Sequence, residues 1–130
     1  KNDIAAVFEL LKSISDFAPQ KNEHDKIWDK FCNQKNVFSL VAVFGGKIIG
    51  YGSIIIEIKV RGGKMGHIED IVTDPNLRKK GVGKLIIDNL FHIAKREGCY
   101  KLALQCSQDN ESFYTKCGFE RSGITMQRFI

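Results

Sequence analysis

The stretch RKKGVGK at residues 78–84 puts two glycines and four cations in front of an amphipathic run, LIIDNLFHIAKREG. A helix start carries unpaired backbone N–H groups and the positive end of the helix dipole, so this layout can hold an anion. In that reading Gly81 and Gly83 let the backbone come close, and Arg78, Lys79, Lys80 and Lys84 add charge. The same residues also suit a plain basic turn in which Gly81 only permits the helix to begin. Spacing excludes two other phosphate motifs. A Walker loop needs Ser or Thr after its lysine, and here Leu85 follows Lys84; a dinucleotide fingerprint needs a third glycine, and Ile86 occupies that place. Upstream, Glu69 and Asp70 form an acidic pair on an expected strand, where neighbours face opposite ways. Downstream, Asn110 and Tyr114 fall one helical turn apart in DNESFYTKC.

No metal or redox chemistry is indicated, because Cys32, Cys99, Cys106 and Cys117 are widely separated and form no CxxC pair. The chain has 130 residues, enough for one domain that buries roughly two thirds of its unfolded surface. Hydrophobic residues make up 43% and charged residues 27%, the balance of a globular protein rather than a disordered one. A net charge of +5 allows a nucleic-acid partner, but Lys and Arg alternate with Asp and Glu along most of the chain. An acidic small molecule accounts for it equally well. No apolar run approaches the roughly 20 residues of a membrane span and no signal peptide is recognisable, so a cytoplasmic location is expected.

The elements that must position these residues follow from periodicity. Residues 3–14 set Ile4, Val7, Phe8, Leu11 and Ile14 at helical spacing with Asp3 as cap, and a second helix is expected over residues 22–34 with Ile27, Trp28 and Phe31 inward. Two runs rich in β-branched residues flank Gly45-Gly46, a hairpin signal. In the second, Ile54, Ile56, Ile58 and Val60 alternate with Ser53, Glu57 and Lys59, which predicts a wet face. A strand over residues 65–73 and a helix over 81–97 follow, with Gly98 as the stop. YKLALQC reads as a strand, DNESFYTKC as a short helix and GFERSGITMQRF as a final hairpin or strand. The fold class is α/β (α+β), with antiparallel strands first and strand–helix alternation after.

Val72, then Arg78-x-x-Gly81-x-Gly83, then an amphipathic helix together resemble the acetyl-CoA pyrophosphate loop of the GNAT superfamily of acetyltransferases. Within that superfamily, GHIEDIVTD, GKLIID, GCYKLALQC and FYTKCGF, in order and at proper separation, are similar to the glucosamine 6-phosphate N-acetyltransferases. The similarity is strongest over residues 57–126. It implies a single domain over residues 1–130 with a mixed central sheet flanked by helices, the family's first strand lying before Lys1. It also implies transfer of acetyl from acetyl-CoA to the amine of D-glucosamine 6-phosphate, on the route to UDP-N-acetylglucosamine, by a homodimer with shared active sites. No metal is implied, and no nucleic acid.

Under this resemblance the amides of residues 78–84, Val82 included, hold the pyrophosphate, and the backbone of Ile71, Val72 and Thr73 meets the pantetheine arm. Asn110 touches that arm, and the Tyr114 hydroxyl lies near the sulfur as proton donor. Glu69 and Asp70 contact the amino sugar and assist loss of its ammonium proton. Ser15, Lys59, Val60, Arg61, Gln105 and Arg128 fall at substrate-contacting places, while His67 is expected to be a structural hydrogen-bonding residue and Phe113 and Phe119 to pack. Two positions depart from the family pattern: Gln105 stands where an aspartate is expected before Cys106, and the C-terminal arginine is one residue early, at Arg128. These departures keep open a different amine, a polyamine or a protein lysine. A CoA- or nucleic-acid-binding module without turnover is the third reading.

Overall fold

A computed structural model describes residues 2–130, with the side chains of Arg78, Lys79 and Lys80 outside the description. Eight elements run along the chain: α1 (Ile4–Leu11), α2 (His24–Cys32), β1 (Val37–Phe44), β2 (Lys47–Ile58), β3 (Lys64–Thr73), α3 (Val82–Arg96), β4 (Cys99–Ala103) and α4 (Glu111–Lys116). The sheet order is β1-β2-β3-β4. The first three strands pair antiparallel, and α3 carries the chain across to β4, which runs parallel to β3. This is the mixed sheet flanked by helices that the sequence implies. No helix among the described residues is long and apolar enough to cross a membrane.

Gly45 and Gly46 close the β1–β2 hairpin with φ of 56° and 75°, the left-handed pair that a two-residue turn requires to match strand twist. α3 lies against one face of the sheet, where Ile86, Ile87, Leu90 and Ala94 join Ile54, Ile56 and Ile68 in the main core. Glycines on the facing strands let the helix and sheet meet closely. A Cβ at Gly52 would stand 2.7 Å from Ile71 Cδ1 and Ile86 Cγ2; within the sheet, one at Gly66 would stand 2.5 Å from Leu102 Cδ2 of β4.

α1 covers the other face through Val7, which packs on Tyr51 and Val72. The predicted wet face of β2 is therefore wet only at its far end: Ser53 is buried under α1, and its hydroxyl donates to the Glu69 carbonyl at 3.2 Å. Ile58 and Val60, expected on the dry face, are exposed where β2 ends and the turn to β3 begins. α1 is shorter than expected, since residues 12–14 leave the helix as a turn, and Asp3 at its N-cap makes no side-chain cap bond. α2 also starts late, behind a 3-10 turn, Lys21–Glu23, held by reciprocal Gln20 and Glu23 bonds. Its expected inner residues Ile27, Trp28 and Phe31 are only half-buried, and the two rings stack on each other with centroids 5.9 Å apart.

The final hairpin or strand is not formed. Residues 119–130 carry neither helix nor strand, and 120–130 are exposed. A strand needs a neighbour to take its N–H and C=O groups, and among the described residues no strand pairs with the tail.

Gly66→Ala should cost about 1–3 kcal/mol, because its methyl would overlap Leu102 and Ile54 in a packed core. Urea denaturation is the measurement, and an unchanged midpoint would show that these side chains are not pinned.

Candidate active site

β3 and β4 pair from Lys64↔Cys99 to His67↔Ala103 and no further. β3 continues along β2 to Thr73, while residues 104–107 carry no strand, so the β4-side edge of residues 68–73 lies open. An open edge offers N–H and C=O groups to an extended ligand with amides of its own. Ile71, Val72 and Thr73, the expected backbone contacts, lie on this stretch.

A β-bulge interrupts β3 at the acidic pair. Tyr51 pairs with Val72 and Ser53 with Glu69, so two steps on β2 face three on β3, and Asp70 takes a left-handed φ of 55°. The extra residue resets the alternation, leaving Ile68 and Ile71 both against the α3 core while Val72 packs under α1. Glu69 and Asp70 are both exposed. Asp70 also lies near Tyr51. Burial pushes the Tyr51 phenol above its usual range, hydrogen bonding to Ser53 opposes this, and the Asp70 carboxylate adds to the rise.

Past Thr73 the chain makes a 3-10 turn, Pro75–Lys80, and enters α3 through Gly81 at φ 76°. The first N–H groups of α3 have no partner within the helix, which is the arrangement suited to an anion. The two glycines have different causes. Gly81 is needed for its left-handed backbone, with open space where a Cβ would stand, whereas Gly83 makes room for a ring, a Cβ there lying 3.0 Å from Phe113 Cζ. Lys84 donates to Asp88 at 2.6 Å, and that contact raises its pKa. The expected roles of the Arg78, Lys79 and Lys80 side chains lie outside the described residues.

Phe113 thus brings α4 against the start of α3. Tyr114, half-buried beside it, stands edge-on to Phe113 at 5.0 Å and to Phe119 at 6.0 Å. Burial raises its pKa, and the charges that Cys106 and Cys117 can carry add to the shift. Asn110 is exposed at the N-cap of α4, and Phe113 and Phe119 pack on the main core.

The remaining expected residues are less closely gathered. Lys59 Nζ and His67 Nε2 both meet Glu57 Oε2 at 2.7 Å, which gives His67 the expected hydrogen-bonding place and commits Lys59 to a carboxylate. Those contacts, Lys59 foremost, hold the Glu57 carboxyl below its usual range. Ser15 accepts a bond from the Phe17 N–H at 3.1 Å. Val60 and Arg61 are exposed at the tip of the β2–β3 hairpin, Gln105 is exposed just after β4, and Arg128 lies in the exposed tail. Glu57 and the cysteines flanking Tyr114 escaped the sequence reading; for Glu57 the signal was its place diagonal to His67 across the hairpin. Among the described residues no group of His, Cys, Asp and Glu could hold a metal ion. Two concavities of ≈ 560 and ≈ 540 Å³ lie on α4 and between α1 and the turn before α2, and neither is lined by Glu69, Asp70 or Tyr114. Residues 68–73 line neither of them.

The sequence profile of the acetyltransferase (GNAT) family matches residues 4–119, and this chain belongs to that family. It is 37% identical over 127 residues to glucosamine 6-phosphate N-acetyltransferase 1 of Dictyostelium discoideum, covering 94% of this chain and 81% of the relative. Among solved structures, a Trypanosoma brucei acetyltransferase aligns with TM-score 0.90 at 32% identity over 99% of this chain and 94% of its own. Glucosamine-6-phosphate N-acetyltransferase from Arabidopsis thaliana aligns with TM-score 0.87 at 34% identity over 94% of this chain and 87% of its own.

If Gly83 is small to admit Phe113, then Gly83→Ala should destabilise the fold by about 1–2 kcal/mol, and Phe113→Leu in the same chain should recover part of that loss. A double-mutant cycle in urea reads the coupling, and additive effects would separate the two positions.

Proposed function

We propose that this chain is an acyltransferase that moves the acetyl group of acetyl-CoA to the amine of D-glucosamine 6-phosphate, giving the N-acetyl sugar phosphate and CoA. The observation that carries the reading is the 37% identity, over 94% of the chain, to a relative of that name. Donor binding then uses the open edge of residues 68–73 for the amide-bearing arm and the start of α3 for the pyrophosphate. The unpaired stretch of β3, the left-handed Gly81 and the start of α3 follow one another along the chain, which supports this reading.

Chemistry requires a neutral amine, since an ammonium has no lone pair to attack with. Glu69 and Asp70, exposed at the bulge, are the acceptors we assign to the amino group and its departing proton. The amine nitrogen bonds to the thioester carbon, the C–S bond breaks, the thiolate takes a proton from the Tyr114 phenol, and the second proton, which the nitrogen sheds in becoming an amide, restores the phenol. Because burial raises the Tyr114 pKa, the phenol stays protonated throughout the neutral range. Lys59 and Arg61 are assigned to the sugar phosphate, with Ser15 and Gln105 as further substrate contacts. A second reading, transfer to another amine, is favoured by one observation: Gln105 offers no carboxylate, and Arg128 lies in the exposed tail.

Two copies acting together would answer the second half of that observation. The tail exposes Ile124, Met126, Phe129 and Ile130, apolar surface that a partner subunit would bury, and it could carry Arg128 into the partner's site.

A free-thiol assay with acetyl-CoA and a panel of amines should give turnover with glucosamine 6-phosphate and far less with glucosamine, and preference for a polyamine or a lysine peptide would transfer the assignment to the second reading. In that assay Tyr114→Phe should lower kcat roughly 10²-fold between pH 6 and 9 with little change in CoA affinity. Full kcat in the variant would make the tyrosine a packing residue. Light scattering at assay concentration should give twice the chain mass, and a truncation at residue 121 should give the monomer; a monomeric full chain would rule out the shared site.

A further inference from the structure

Asp74 is buried, with 8% of its surface exposed, and carries a carboxylate close to a turn suited to anions, where a negative charge is unfavourable. Its bonds account for its presence. Oδ1 accepts the Asn76 N–H at 2.9 Å and Oδ2 the Lys47 ammonium at 3.2 Å. Its own N–H donates to the Ile49 carbonyl at 2.8 Å, and its carbonyl accepts from Leu77 N–H at 2.9 Å. Lys47 and Ile49 belong to the start of β2, and Asn76 and Leu77 to the 3-10 turn that ends at Gly81. One residue therefore joins the sheet to the turn on both sides.

We propose that Asp74 is a positioning residue for the donor: it fixes the Pro75–Lys80 turn on β2 so that the first amides of α3 converge on a pyrophosphate, with Lys47 as its counterion. This rests on the reading of residues 78–84 as the donor's anion site. The second point of attachment is Val82, buried in the main core, where a Cβ at Gly50 would lie 3.1 Å from its Cγ1. Val82 holds the helix laterally and Asp74 holds the turn that feeds it. Lys47 also offsets the charge that would otherwise repel the ligand. Among these contacts the Asn76 N–H, and then Lys47, keep the Asp74 carboxyl below its usual range, so the clasp is intact at neutral pH.

The test compares CoA with S-acetylpantetheine, which has the amide-bearing arm and thioester but no pyrophosphate. Asp74→Ala should raise the Kd for CoA about tenfold by calorimetry, and Asp74→Asn, which keeps a cap acceptor, should stay within about threefold of wild type. Lys47→Met, at an exposed position, should fold normally and raise the Kd about threefold. For all three, kcat/KM with S-acetylpantetheine should hold. Folded Asp74→Ala with wild-type affinity for CoA, or an equal loss with S-acetylpantetheine, would overturn the inference. Should Asp74→Ala not fold, Lys47→Met decides alone, and an unchanged Kd overturns it. A wild-type chain that binds no CoA would instead remove the donor site itself.

Discussion

β3 must serve two neighbours that part company. It keeps β2 along nearly its whole length but keeps β4 only as far as His67↔Ala103. Everything assigned to the site is arranged around that divergence. A parallel neighbour has to be reached by a crossover, and α3 is that crossover, so its N-terminus arrives beside the open edge by topology. The bulge at Asp70 lies on the same stretch, where both carboxylates of the acidic pair are exposed.

Helix and sheet meet by close approach at glycines. α3 sits on Gly50 and Gly52, near enough that a Cβ at either would meet Ile86 at 2.7 Å. Gly83 continues the same logic at the other side of the helix, where the Phe113 ring brings α4 and Tyr114 into place. Gly81 alone among these is chosen for its backbone. A substitution there strains φ, whereas at Gly52 or Gly83 it collides with a neighbour.

Much of this was legible in the residues because local chemistry and tertiary role agree. Gly45-Gly46 demands a tight hairpin, and Gly98 with φ 81° ends α3 where the periodicity stops. The bulge was not legible, since GHIEDIVTD contains no glycine at the bend and Asp70 adopts the left-handed conformation itself. The tail misled for the opposite reason: SGITMQRFI has strand composition, yet strand formation depends on a neighbour that a single chain does not supply. Ser53 looked solvated by alternation and is buried because a helix remote in sequence covers it. Glu69 and Asp70 stand on a strand, Gly81 at a helix start and Tyr114 on a short helix, as periodicity implies, while the places of Ser15, Gln105 and Arg128 depend on loop paths that no periodicity encodes.

The acid assigned to Tyr114 raises a question of driving force. A phenol at about 10 is already weaker than a free thiol at about 8.5, and burial moves Tyr114 further up. Taken alone, that shift would make proton donation to a CoA thiolate harder. The same surroundings, however, act on thiols: Cys117, whose N–H donates to the Tyr114 carbonyl at 3.0 Å, has its own pKa raised, and by burial first. Desolvation penalises any anion placed there, a thiolate as much as a phenolate. A leaving sulfur brought beside Tyr114 would become more basic along with its donor, so burial moves both in the same direction. Burial at this corner therefore need not weaken the acid relative to the base it serves, and it adds a reason for the proton to be transferred as the thiolate forms rather than afterwards.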